Sequence, residues 1–269
     1  MPKPLLTTLI AIVVSYFTAA AQDTTWYSGA WTKTTPDKAA YFQIKQKTDS
    51  GWLVMGYFRA GTIQSKALYS DDSLHTLEGE LCAYNIKGIL IHLCTYANGK
   101  RNGPEYWYHD NGKELEKGDN KDGNHDGPWI GYYPSGKLAG TVTYVSGKET
   151  DVKLYNEDGS TKDEKVFERE AQFPGGPQAW LRYMNQNLHY PDYAVNHNIK
   201  GTVVVQFKTT KTGKIIESAV IKSVEKHIDA EALRIIRESP DWEPTLLAGL
   251  PAEAYKRQPI VFKMDVMGK

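Results

Sequence analysis

The sequence predicts an α+β protein in two modules, an all-β run of stacked hairpins followed by a small α-β-β-α-β sandwich. Three observations lead there. A 24-residue repeat fills much of the first half. Helical and strand periodicities alternate through the last hundred residues. Tyrosine is uneven, with 13 of the 17 before residue 166. The 269 residues carry 32 basic and 32 acidic side chains at 41% hydrophobic content, an ordinary globular composition. A zero balance argues against a nucleic-acid partner, because neutralising phosphates needs a basic excess on one face.

Residues 1–21 read as an export signal. Lys3 is the only charge before the apolar run Leu5–Ala21, and Ala19-Ala20-Ala21 precedes Gln22 as a small-residue cleavage site. The mature chain is therefore expected to begin at Gln22, in the periplasm or cell envelope. Retained, the same run is just long enough for an inner-membrane anchor. Cys82 and Cys94 then lie in an oxidising compartment, where a bridge across a hairpin and two separate buried thiols are both open. Neither has metal-ligand spacing, and no metal or cofactor is expected.

Residues 22–165 form the repeat module. Gly99, Gly123 and Gly147 are spaced by 24, and Gly103-Pro104 recurs at Gly127-Pro128. Tyr106-Trp107-Tyr108 leads to Asn111-Gly112-Lys113; Ile130-Gly131-Tyr132-Tyr133 leads to Ser135-Gly136-Lys137; Val152–Tyr155 leads to Asp158-Gly159-Ser160. Each unit is strand, Asn-Gly-type turn, strand, glycine turn. Gly51–Gly61 and Leu68–Gly88 look like degenerate copies. One hairpin cannot bury its aromatic face, so the copies should stack into one long twisted sheet. An aromatic strand followed by an Asn-Gly-Lys type of turn, at this period, resembles MORN-type repeats, which are mostly scaffolds.

Nothing in this half points to catalysis. Asp122–Gly127 fits the first half of a calcium loop, but its twelfth position would be Tyr133 where Glu is required. His109-Asp110 and His125-Asp126 are adjacent pairs whose side chains diverge on an extended strand. The chain has no nucleophile elbow, no His-Glu-x-x-His and no phosphate loop. No enzyme and no small-molecule substrate is expected.

Residues 166–269 form the second module. Glu164–Ala171 is a charged run that reads as a linker. Pro177 suits a first helical position, and Trp180, Met184 and Leu188 make one apolar stripe. Gly201–Thr209 alternates as a strand, Lys211-Thr212-Gly213 turns, and Lys214–Lys222 returns. Ile228, Ala232, Ile235 and Ile236 face one way on a helix stopped at Ser239-Pro240, and Pro259–Met264 is the last strand.

Tyr190-Pro191 with Ala194, Gly201-Thr202-Val203, Gly213, Ala232-Leu233, Trp242-Glu243-Pro244, Gly249 and Pro259-Ile260-Val261-Phe262 follow in an order that resembles the TonB C-terminal domain. The resemblance covers about ninety-five residues. It implies a domain that grips an extended segment of an outer-membrane receptor by adding it as a strand. The implied edge is Pro259, Ile260, Val261, Phe262, Lys263 and Met264, with Pro259 at its start, and His189 is the implied further contact. Family transducers also carry a His in a membrane-retained helix and a long Pro-rich spacer. Here no His precedes His75, and six Pro precede residue 166.

The expectation is a non-enzymatic envelope protein that binds an outer-membrane receptor or another envelope protein through an extended segment. Its rivals are a membrane-anchored energy transducer and a structural repeat scaffold.

Overall fold

The computed structural model describes residues 23–29 and 31–264; the expected export signal lies outside them. Eleven strands come first. They are β1 (Asp23–Tyr27), β2 (Tyr41–Thr48), β3 (Gly51–Phe58), β4 (Ile63–Tyr69), β5 (Leu77–Tyr84) and β6 (Leu90–Ala97). Then follow β7 (Lys100–Tyr108), β8 (Glu114–Lys121), β9 (Asn124–Tyr132), β10 (Leu138–Val145) and β11 (Lys148–Leu154). They pair in chain order as one antiparallel meander. At about 4.8 Å per strand its ten steps advance about 48 Å.

The turns explain the regularity. Asn98-Gly99, Asp122-Gly123 and Ser146-Gly147 have positive φ at both residues, 52° and 74°, 51° and 92°, 52° and 76°. That is the two-residue type I′ turn, whose twist matches paired strands. At the other ends the turns are wider. The N–H groups of His109 and Tyr133 bond the carbonyls of Lys113 and Lys137, both at 2.8 Å. The 24-residue period is thus one two-strand step of a single sheet. Register also answers the cysteine question. Leu81 pairs with Cys94 and Cys82 with Leu93, so the two thiols lie on opposite faces and both are free.

The second half contains α1 (Gly176–Asn187), α2 (Asp192–Asn196), β12 (Gly201–Thr209), β13 (Ile215–Lys222) and α3 (Lys226–Arg237). It ends with β14 (Thr245–Leu247), β15 (Leu250–Ala252) and β16 (Ala254–Phe262). A three-stranded sheet in the order β13-β12-β16 carries the helices on one face. Val203, Val205, Phe207, Ile228, Ile235 and Ile260 are fully enclosed between them. Each such side chain contributes roughly 1.5–3 kcal/mol of burial. No helix among the described residues is long and apolar enough to cross a membrane.

Three features depart from the sequence reading. The short helix α2 and the β14–β15 hairpin are additional. The last strand starts at Ala254 rather than Pro259, and Lys263 and Met264 lie beyond it. The charged run Glu164–Ala171 is no free linker. Phe167 and Ala171 within it are buried, and Arg169 and Leu246 exchange backbone hydrogen bonds of 3.0 and 2.8 Å.

That run and the β14–β15 hairpin fasten the small domain to the last repeats. The hairpin tip, Ala248-Gly249, is another pair with positive φ, 53° and 69°. Ala248 sits against Gly131, where even one Cβ would overlap its methyl group. Phe167 lies over Gly131 and Gly140, and Gly249 faces Leu154. One repeat earlier the place of Gly131 is held by Trp107. The last unit is therefore hollowed by glycine where its predecessor is filled, and the hairpin tip and Phe167 complete its core with Trp129, Val142 and Leu154.

The same junction carries an unpaired acid. Glu116 is buried, and neither of its carboxyl oxygens has a hydrogen-bond partner among the described residues. Burial, then the neighbouring charge of Glu168, pushes its pKa well above the ordinary range. The folded state therefore keeps a proton that the unfolded chain releases. Stability from this group is complete below the ordinary carboxylate range and is lost as pH rises toward the folded pKa.

Two outcomes follow at this junction. Gly131→Val should lower stability by about 1–3 kcal/mol through overpacking. Hydrogen exchange at Leu246 and Gly249 should accelerate with it, and unchanged protection there contradicts the socket. For Glu116→Gln, thermal melts from pH 4 to pH 8 should show the variant gaining on the parent chain as pH rises. A difference constant with pH means that Glu116 titrates alike in both states.

Candidate partner-binding edge

The last strand is paired on one side. All nine residues of β16 match β12, from Ala254 opposite Thr209 to Phe262 opposite Gly201, and among the described residues no strand lies on the other side of β16. Along a strand, successive residues turn their N–H and C=O groups to opposite sides. Pro259 has no N–H to give, so its place in mid-strand requires that its backbone face the free edge. Tyr255, Arg257 and Val261 share that orientation, while Lys256, Gln258, Ile260 and Phe262 pair inward. One further contact agrees: the Gln258 side-chain amide donates to the Pro259 carbonyl at 3.3 Å. This is why Pro259 does not start the strand. An edge residue with its nitrogen turned outward does not interrupt the ladder.

Side chains alternate with the backbone. Ile260 and Phe262 point into the core, and Pro259 and Val261 are exposed on the opposite face. Lys263 and Met264 continue past the last pair. Of the six residues expected at the edge, four thus lie in β16, two of them with outward backbone.

His189 stands in the turn after α1, its side chain exposed and its backbone held. Its N–H donates to Glu231 Oε1 at 2.7 Å. Burial disfavours the Glu231 charge, but the Arg234 hydrogen bonds and the His189 N–H outweigh it and lower the pKa. Arg234 grips both carboxylate oxygens at 2.7 and 2.8 Å and also donates to the Asn187 carbonyl, closing the end of α1. The next residue, Tyr190, stacks edge-on against Phe262 with ring centroids 5.6 Å apart. The fold thus brings the His189 turn to the C-terminal end of β16.

The N-terminal half of β16 borders a cleft of about 550 Å³. Tyr255, Lys256 and Arg257 line it together with Glu170, Trp31 from the β1–β2 connection and Gln64 from β4. Lys256 Nζ is paired to Glu170 at 2.6 Å, and Arg257 Nε donates to Gln206 Oε1 at 3.2 Å. Sequence reasoning did not place repeat residues here, because the approach of Trp31 to β16 depends on how the two sheets dock.

A second polar constellation lies inside the repeat sheet. Glu105, fully buried on β7, accepts from Asn120 Nδ2 at 2.7 Å, Trp107 Nε1 at 3.2 Å and Arg101 Nη1 at 3.3 Å, with His92 Nε2 at 2.7 Å. Burial works against its charge, but His92, Asn120 and Arg101 hold its pKa down at about 2. Cys94 is directly opposite Glu105 in the β6–β7 register. Burial, then the Glu105 charge, pushes the Cys94 thiol up to about 12. His92, Cys94 and Glu105 offer ligand atoms within 4.8 Å of one another. His-x-Cys with a Glu eleven residues on has no recognised metal spacing, and only cross-strand register brings the three together.

No curated protein matches the chain. Residues 126–146 match the MORN repeat variant, and residues 186–264 match the Gram-negative bacterial TonB protein C-terminal family. That second stretch contains the β13-β12-β16 sheet, the His189 turn and the β14–β15 hairpin. Residues 186–264 are therefore a TonB C-terminal domain, with a MORN-type repeat ahead of it.

Proposed function

We propose that this protein is a non-enzymatic binding module of the cell envelope. Its C-terminal domain takes up an extended segment of an outer-membrane receptor, or of another envelope protein, as a fourth strand beside β16. The observation that carries this reading is the unpaired side of β16 in a domain of the TonB family. Main-chain pairing supplies the affinity and alternate side chains the selectivity. Outward groups of Tyr255, Arg257, Pro259 and Val261 are the template, and His189 stands where the segment would leave the strand. Toward its other end the segment would enter the cleft lined by Trp31 and Gln64.

The mature chain works in the periplasm, after cleavage ahead of Gln22, and serves outer-membrane transport without driving it. Support for this over energy transduction comes from the junction at Gly131 and Ala248. A domain seated on a folded stack about 48 Å long is poorly suited to reaching across a compartment on a swinging tether.

The edge can be tested by changing single backbone donors. A Gram-negative envelope extract is passed over the immobilised chain, and the exposed segment of the captured receptor is made as a peptide for calorimetry. Val261→Pro removes an outward N–H and should weaken peptide binding at least tenfold. Lys222→Pro, on the opposite margin of the sheet, should not specifically remove it. Undiminished binding by a Val261→Pro chain with native circular dichroism would sink strand addition here.

The opposite change is equally informative. Pro259→Val restores the missing donor and should promote association of two edges, since a complete unpaired ladder is a template for another copy. Light scattering across a concentration series should then show dimers that the parent chain does not form. A strictly monomeric variant would mean that the backbone of residue 259 does not face the open side.

A further inference from the structure

Counting by the repeat period exposes an exception inside the sheet. Twenty-four residues on, the positions of His92, Cys94 and Glu105 hold Glu116, Gly118 and Trp129; one period further, the first two hold Gly140 and Val142. Where the last unit fills this column by packing Trp129 and Val142, the earlier unit places an imidazole, a thiol and a carboxylate. Burying such groups in place of apolar ones sacrifices stability, and breaks in a local pattern concentrate at functional sites.

We propose that His92, Cys94 and Glu105 form a binding site for a divalent transition-metal ion of the zinc class. Nitrogen, sulfur and oxygen donors together suit zinc, with bonds of about 2.0–2.3 Å. Tetrahedral placement needs ligand atoms about 3.3–3.8 Å apart. His92 Nε2 and Glu105 Oε1 are already 2.7 Å apart, and all three donors lie within 4.8 Å. Side-chain rotations of about 1 Å close that gap. His92 and Cys94 are two residues apart on β6, so they share a face, and Glu105 is the cross-strand partner of Cys94.

An independent observation marks the same place. Asn120 is 3% exposed and donates its Nδ2 to Glu105 Oε2, yet its own Oδ1 is buried with no hydrogen-bond partner among the described residues. A cation, or a water bound to one, would satisfy that oxygen. The surroundings already resemble a supporting shell. Arg101 and Asn120 hold Glu105 through Oε2, and the Trp107 ring lies stacked on His92 at 3.8 Å between centroids. Metal binding replaces the His92–Glu105 hydrogen bond. The proton on His92 Nε2 moves to Nδ1 when the ring is neutral, or to solvent when the ring is doubly protonated, and the Cys94 thiol proton passes to solvent, leaving a neutral imidazole, a thiolate and a carboxylate around the ion.

The test uses the chain from Gln22 onward, without a histidine tag, in reducing buffer. Titration with Co(II) should produce a thiolate-to-cobalt absorption band that saturates at one ion per chain and is displaced by Zn(II). With only two cysteines in the chain, Cys82→Ser is the control and should keep the band. Cys94→Ser should lose it, and His92→Gln should weaken binding at least tenfold. If Cys94→Ser fails to fold, the band in the parent chain and in Cys82→Ser still assigns the sulfur. A folded parent chain without the band at saturating cobalt overturns the site, as does a band that Cys82→Ser removes. Either result would leave Glu105 as the centre of a hydrogen-bond network alone.

Discussion

A β-strand has two sides to satisfy, and in the small domain the last strand is satisfied on one. β12 takes every inward group of β16, from Ala254 to Phe262, and the outward groups are left to solvent or to another chain. Proteins commonly blunt such an edge. Here Pro259 does part of that work by deleting one outward donor in mid-ladder. The edge is thereby made poor for a second copy of itself, while an incoming strand still finds carbonyls and flanking N–H groups. Position of the proline, exposure of Val261 and enclosure of Ile260 and Phe262 all follow from this one arrangement.

The repeat sheet gives that edge a fixed address. Its period is set by type I′ turns at Asn98-Gly99, Asp122-Gly123 and Ser146-Gly147, and its last unit is opened by Gly131 and Gly140. Ala248 and Phe167 occupy the opening, so the core of the last repeat is completed by residues outside the repeat. The cost is visible at Glu116, a buried acid without a donor among the described residues. Because the hairpin tip comes from the same domain as β16, the orientation of the edge depends on that packing. The presence of Trp31 and Gln64 in the lining of the cleft is a consequence of it.

What was legible in the sequence was what local chemistry dictates. Glycine turns at a fixed spacing announced the meander, and alternation at Val203, Val205 and Phe207 announced β12. The stripe of Ile228, Ala232, Ile235 and Ile236 announced α3, and Pro259-Ile260-Val261-Phe262 announced a last strand, its place at the edge being implied by the resemblance alone. Less legible was whatever depends on partners distant in the chain. The start of β16 reads Ala-Tyr-Lys-Arg-Gln, too polar to signal a strand that β12 nonetheless pairs. Ala248-Gly249 lacks the Asn or Asp of a typical hairpin turn, so β14 and β15 went unread. Phe167 was hidden in a charged run, since nothing local tells that glycines at 131 and 140 await it. His92, Cys94 and Glu105 met only through register.

Hydrogen exchange resolved to single amides measures the central claim most directly. In the free chain the amides of Arg257 and Val261 should exchange at nearly the rate of unstructured backbone, while those of Ile260 and Phe262 are protected by β12. On addition of the receptor segment, the Val261 amide should become protected, with Ile260 unchanged. A Val261 amide already protected in the free chain, or one that stays unprotected in the complex, would contradict strand addition at this edge.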